Sequence, residues 1–79
     1  PPVVSVIEEG GNAVSIISAL RRNGISVNNS YGSVKKQVEK AKKSGVSAVI
    51  FVKSDDIKIT KYDDRISEEL LMNIVRGTV

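Results

Sequence analysis

The sequence predicts an α/β fold: a three-layer sandwich whose mostly parallel mixed sheet of four to five strands carries helices on both faces. Three observations predict it. Short β-branched runs alternate with segments of helical periodicity, the pattern of β-α-β units. Two of the helical segments stop at a glycine just before the next apolar run, at Gly24 and Gly45. Residues 46–52 are nearly all apolar with little alternation, as expected of a central strand covered on both sides.

Each element has a local reason. Residues 3–7 are short, β-branched and bounded by Pro2 and Gly10-Gly11, which reads as a buried strand. Asn12 is placed to cap the following helix, whose Ala13, Ile16, Ile17 and Leu20 recur at helical spacing on one face. Arg21 and Arg22 fall in its last turn, where they complement the helix dipole. Residues 25–27 make a second, short strand near a sheet edge, and residues 28–32 make a turn.

Ser33 is placed to cap a second helix with Val34, Val38 and Ala41 on a narrow apolar stripe. Lys35, Lys36, Lys40, Lys42 and Lys43 spread over the remaining arc. After the strand at 46–52, Ser54-Asp55-Asp56 turns the chain and residues 57–60 alternate like a strand with one wet face. That connection is too short for a parallel crossover, so the pairing should be antiparallel. Asp63-Asp64 forms another turn. Ser67 caps a last helix, Glu68 and Glu69 sit in its first turn, Ile66 and Leu71 form a hydrophobic staple, and Gly77 ends it. The order is β-α-β-α-β-β-α in one domain spanning 1–79, with no internal repeat.

Composition excludes several classes of function. The 79 residues contain no cysteine and no histidine. A disulfide framework, a thiolate zinc site and every Ser-His or Cys-His catalytic pair are therefore ruled out. No apolar run approaches the roughly 18 residues of a membrane span. Without a basic-then-apolar leader, a cytoplasmic location is the expectation, and a start at Pro1-Pro2 suggests a fragment of a longer protein. The segment 8–12 leads into a helix N-terminus but lacks a phosphate-loop motif, and Glu8 and Glu9 would repel phosphate. Asp55/Asp56 and Asp63/Asp64 fall where turns favour Asx residues, so no metal is expected on them. An independent enzyme is not expected.

Charge is unevenly distributed. The net charge of +3 conceals eight lysines against three acids between Ser33 and Lys61, and four acids against two arginines from Tyr62 onward. The middle of the chain is the electropositive region. Lysines neutralise phosphates without reading sequence, whereas single-stranded bases are read by stacking and by hydrogen bonds at their edges. Of the three aromatic residues, Phe51 belongs to the central strand, and Tyr31 stands in the turn just before the lysine helix. Asn28, Asn29 and Ser30 supply donors and acceptors in the same turn.

The order Ser33, Lys36-Gln37, Ala41, Gly45, then Val49-Ile50-Phe51-Val52 resembles the anticodon-binding domain of class II aminoacyl-tRNA synthetases, most closely the histidyl branch. The segment Leu20-Arg21-Arg22-Asn23-Gly24-Ile25 looks like that family's leucine-basic-x-x-Gly-Ile helix exit. The resemblance covers nearly the whole chain, and its weight comes from the ordered combination of short motifs. It implies that the turn 28–33 and the start of the next helix face a tRNA anticodon stem-loop. Candidate RNA-binding residues are then Asn29, Tyr31, Ser33, Lys35, Lys36 and Gln37, with Lys35 and Lys36 on phosphate and Gln37 also open to a structural role. It further implies a catalytic domain in the same protein, a histidine–tRNA ligase that handles ATP and Mg, with no cofactor in this domain. The chain departs from the family at Gly32, where many members carry arginine, at Lys53, where glycine is common, and in a shorter second strand. A synthetase-like regulatory or dimerisation module without anticodon reading is the alternative; an exposed apolar patch of more than a few hundred Å² would favour it.

Overall fold

The computed structural model describes residues 2–29 and 32–78. Strands β1 (Val3–Glu9), β2 (Ser26–Asn28), β3 (Ala48–Lys53) and β4 (Ile57–Lys61) alternate with helices α1 (Val14–Arg22), α2 (Val34–Ser44) and α3 (Glu68–Arg76) in the order β1-α1-β2-α2-β3-β4-α3. The sheet order is β2-β1-β3-β4. β1 pairs in parallel with both β2 and β3, and β4 runs antiparallel to β3. The fold is the three-layer mixed α/β sandwich the sequence predicts, with four strands among the described residues.

The topology dictates where the helices go. The step from β1 to β2 moves one way along the sheet and the step from β2 to β3 moves back across β1, so right-handed crossovers send α1 and α2 to opposite faces. Strand side chains alternate accordingly. Val4, Val6, Ala48, Ile50 and Val52 pack with Leu20 of α1 and with Leu71, Ile74 and Val75 of α3. Ile7 and Val49 point the other way, onto Ala41 and the partly buried Val34, Val38 and Phe51. Phe51 is thus half-buried under α2 rather than fully enclosed.

Several boundaries differ from the sequence reading, each for a local reason. β1 continues past Ile7 because Glu8 and Glu9 pair with Val52 and Lys53. β2 is displaced by one residue, because Val3 pairs with Ser26. β3 begins at Ala48 instead of residue 46, since Val46 N–H still donates to Ala41 O of α2 and Ser47 N–H reaches Val3 O. Asn12 is not the N-cap of α1, a position that Ala13 occupies. From one residue further out, its Oδ1 accepts from Val14 N at 3.0 Å and so still satisfies a free helix donor. The caps at Ser33 and Ser67 form as expected, accepting from Lys36 N and Leu70 N.

A polar latch closes the end of the sheet where β3 starts. Arg65 donates to both the Asp63 carboxylate, at 2.8 Å, and Gly45 O, at 2.7 Å. Tyr62 N–H and Asp63 N–H both donate to Ser47 O. The side-chain hydrogen bond from Arg65 is the main reason the Asp63 carboxyl titrates at about 2, below its ordinary 3.8. Reciprocally, that hydrogen bond raises the Arg65 guanidinium. Ser47 Oγ is fully buried with no hydrogen-bond partner of ordinary geometry, although Asp63 stands beside it.

Candidate nucleic-acid interface

Gly32 and Ser33 are tied to α2 by side-chain hydrogen bonds. Ser33 adopts extended backbone, φ −65° and ψ 156°, and its hydroxyl accepts from Lys36 N at 3.3 Å. Gln37 is buried, and its Nε2 donates to Gly32 O at 2.8 Å, tying the turn to the second turn of the helix. Gly32 sits at φ +119°, where an L side chain is strained. A basic side chain could not stand at position 32 without rebuilding this turn. The stem of Lys36 lies back over the glycine, within 4.0 Å of the point a Cβ would occupy, as helical side chains lean toward the N-terminus.

Beyond that turn, the exposed surface of α2 is predominantly cationic, with five lysines against Glu39. At 100° per residue, Gln37, Ala41, Val34 and Val38 share the sheet-facing arc. Lys36, Lys40 and Lys43 form one outer row, at i, i+4 and i+7, and Lys35 and Lys42 flank Glu39 in another. All five lysines are exposed. Among the described residues none of them is in a salt bridge; the two ion pairs are Lys61–Asp64 and Asp63–Arg65, elsewhere on the molecule. No acid sits in the first turn of α2, so Lys35 and Lys36 add to the positive end of the helix dipole. By contrast, α3 opens with Glu68 and Glu69.

Five of the six sequence-predicted residues are described, and they divide in three ways. Ser33, Lys35 and Lys36 come together at the exposed start of α2. Asn29 is exposed just past the end of β2 and, with Lys40 and Lys43, lines a groove of about 350 Å³. Gln37 is inward, and its amide N–H is engaged by the backbone of the turn. Tyr31 lies outside the described residues. The sequence places Lys40 and Lys43 on the same outward arc but not among the candidate contacts; their spacing from Lys36 puts all three on one row.

The paired aspartates serve turns and ion pairs. Asp56 Oδ1 accepts from Ile57 N at 2.9 Å, Asp63 holds Arg65, and Asp64 pairs with Lys61 at 3.1 Å. Among the described residues no group of three or more acidic side chains is arranged to hold a metal ion, and no helix is long and apolar enough to cross a membrane. No protein-family model matches the chain, and no curated protein matches it.

Proposed function

We propose that this domain binds RNA through α2 and the turn before it, as the anticodon-recognition module of a tRNA ligase of the histidyl type. The observation that carries the reading is the row of exposed, unpaired lysines on a helix whose N-terminus is free of acids. Such a surface neutralises backbone phosphates, supplies affinity that falls with salt, and orients the strand without reading it. Base recognition falls to the turn 28–33, where Asn29 and Ser33 stand exposed next to the lysines and Tyr31 is the aromatic available for stacking. Gln37 acts one step back, holding the turn through Gly32 O. ATP, Mg and the amino acid would be handled by a catalytic domain elsewhere in the parent protein, in the cytoplasm.

The alternative of a regulatory or dimerisation module calls for one continuous apolar patch. The large exposed apolar residues of α3, Leu70 and Met72, are 46 % and 39 % exposed. They stand about 200° apart on the helix, with Leu70 beside Ala19 and Asn23 and Met72 beside Ile57 and Ile59. Leu70 and Met72 thus lie on different sides of α3, so α3 by itself offers this alternative no joint patch of the two.

Fluorescence anisotropy with a tRNA-His transcript, at low and moderate salt, tests the proposal. Binding should weaken as salt rises and drop when the anticodon is swapped. Equal, weak binding to both transcripts would leave a basic surface without a code, and no binding would refute an RNA role.

A further inference from the structure

The groove on the β2 flank of α2 places two lysines beside neutral hydrogen-bonding side chains. It is lined by Ser5, Asn28, Asn29, Lys40, Lys43 and Ser44 around Ala41, with a volume of about 350 Å³. No acidic residue is among these. Ser5 is 7 % exposed and forms the floor, and the β1–β2 register sets Asn28 directly opposite it. On the other side, Lys40 and Lys43 are one helical turn apart and both reach the groove. The site therefore has two cations on one wall, neutral hydrogen-bonding side chains on the other, and a hydroxyl-bearing residue at its base. Its lysines lie one and two turns beyond Lys36, past the helix start where the lysine contacts are expected from the sequence.

We infer that this groove is a phosphate-binding site. Two ammonium groups attract a phosphate, whether a singly charged diester or a doubly charged free phosphate, and amide and hydroxyl donors complete its oxygen contacts without carrying a charge of their own. The wall of the larger groove on the opposite face includes Asp55 and Asp56, so it lacks that all-cationic character. In the function proposed above, on which this part of the inference rests, the phosphate is one of the RNA backbone. The row Lys36, Lys40, Lys43 then tracks the strand from the turn 28–33 down to the groove, and the contact runs along most of α2 rather than stopping at its first turn.

The test compares Lys40→Gln/Lys43→Gln with Arg21→Gln/Arg22→Gln, a charge-matched change at the end of α1 on the other face. Both variants are checked for native circular dichroism, and RNA affinity is measured against salt with the tRNA-His transcript. Each single-strand phosphate contact contributes about 0.7 to the slope of log K against log salt. The groove variant should lose about 0.7 of slope, and the α1 variant should keep the wild-type value. An unchanged slope in the groove variant overturns the site while leaving RNA binding intact. If wild-type protein binds no RNA, the functional reading fails, and titration with inorganic phosphate decides the groove by itself. Amide shifts at Asn28, Asn29 and Ser44 that vanish in Lys40→Gln/Lys43→Gln sustain it, and no shifts overturn it.

Discussion

The two faces of the sheet are built on different terms. On one, α1 and α3 lie side by side over a cluster of fifteen buried residues that includes Leu20, Ile50 and Leu71. On the other, α2 lies alone over four buried residues, with Val3, Val34, Val38 and Phe51 only partly covered. Charge divides the other way: α2 carries five lysines and one glutamate, a net of +4, whereas α1 and α3 together carry three arginines and two glutamates, a net of +1. A domain this small buries only roughly 60 % of its unfolded surface, so its apolar material is scarce. Here most of it is concentrated on one face. That leaves a single helix on the other side to turn a full cationic arc to solvent while anchored by a narrow stripe and by Gln37.

The comparison breaks most visibly in the larger core. Leu71→Ala removes a fully buried side chain from the α1/α3 side and should cost about 2–5 kcal/mol. Val38→Ala, at a half-buried position on the sheet-facing side of α2, should cost well under that. Denaturant titration of the two variants checks the asymmetry, and equal losses would contradict it.

Gly11→Ala comes next. This glycine is required for space: an added Cβ would lie 2.4 Å from Lys53 O and 2.9 Å from Val52 Cγ1, where β1 leaves the sheet beside β3. Backbone on one side cannot yield, so a loss of about 1–3 kcal/mol is expected in the same titration.

Gln37→Ala sharpens the contrast on the other face. Losing one hydrogen bond should cost about 1 kcal/mol of stability. Because that bond holds Gly32 O, RNA affinity should fall by more than the exposed Lys42→Ala variant loses, with no change in the salt slope. A reduced slope would mean that Gln37 acts on the lysine contacts and not on the turn.

The smallest effect is at the latch. The Asp63 carboxyl, at about 2, titrates below its ordinary 3.8, so its contribution is complete above pH 4 and is lost as pH falls toward 2. Asp63→Asn should remove that part of the acid sensitivity. Thermal melts between pH 5 and 2 would show it as a shallower decline than in wild type.

How much of this could be read from the chain depends on how local the cause is. Ser33 and Ser67 cap their helices because capping involves only three neighbouring residues, and the antiparallel β3–β4 pair follows from a three-residue connection. Asn12 was one position out because its side chain reaches Val14 from outside the helix, which its identity does not reveal. The start of β3 was misplaced because Val46 is as β-branched as its neighbours, yet its N–H is claimed by α2. At the candidate interface, the lysine arc was legible from helical spacing. The groove beside Asn28 and Asn29 was not, since it arises where β2 and α2, distant in sequence, come together across Ser5 of β1. For Gln37 the sequence leaves an RNA contact and a structural role both open, and only the position of Gly32 O shows that its amide is engaged by backbone.

The central claim is that α2's face meets RNA while the α1/α3 face provides stability, and an amide chemical-shift map of the ¹⁵N-labelled domain tests it most directly. Titrated with a tRNA-His anticodon stem-loop, the account predicts shifts along α2 and the turn 28–33, with Ala19, Leu20, Ile74 and Val75 unmoved. Shifts centred on α1 and α3, with α2 silent, would contradict it.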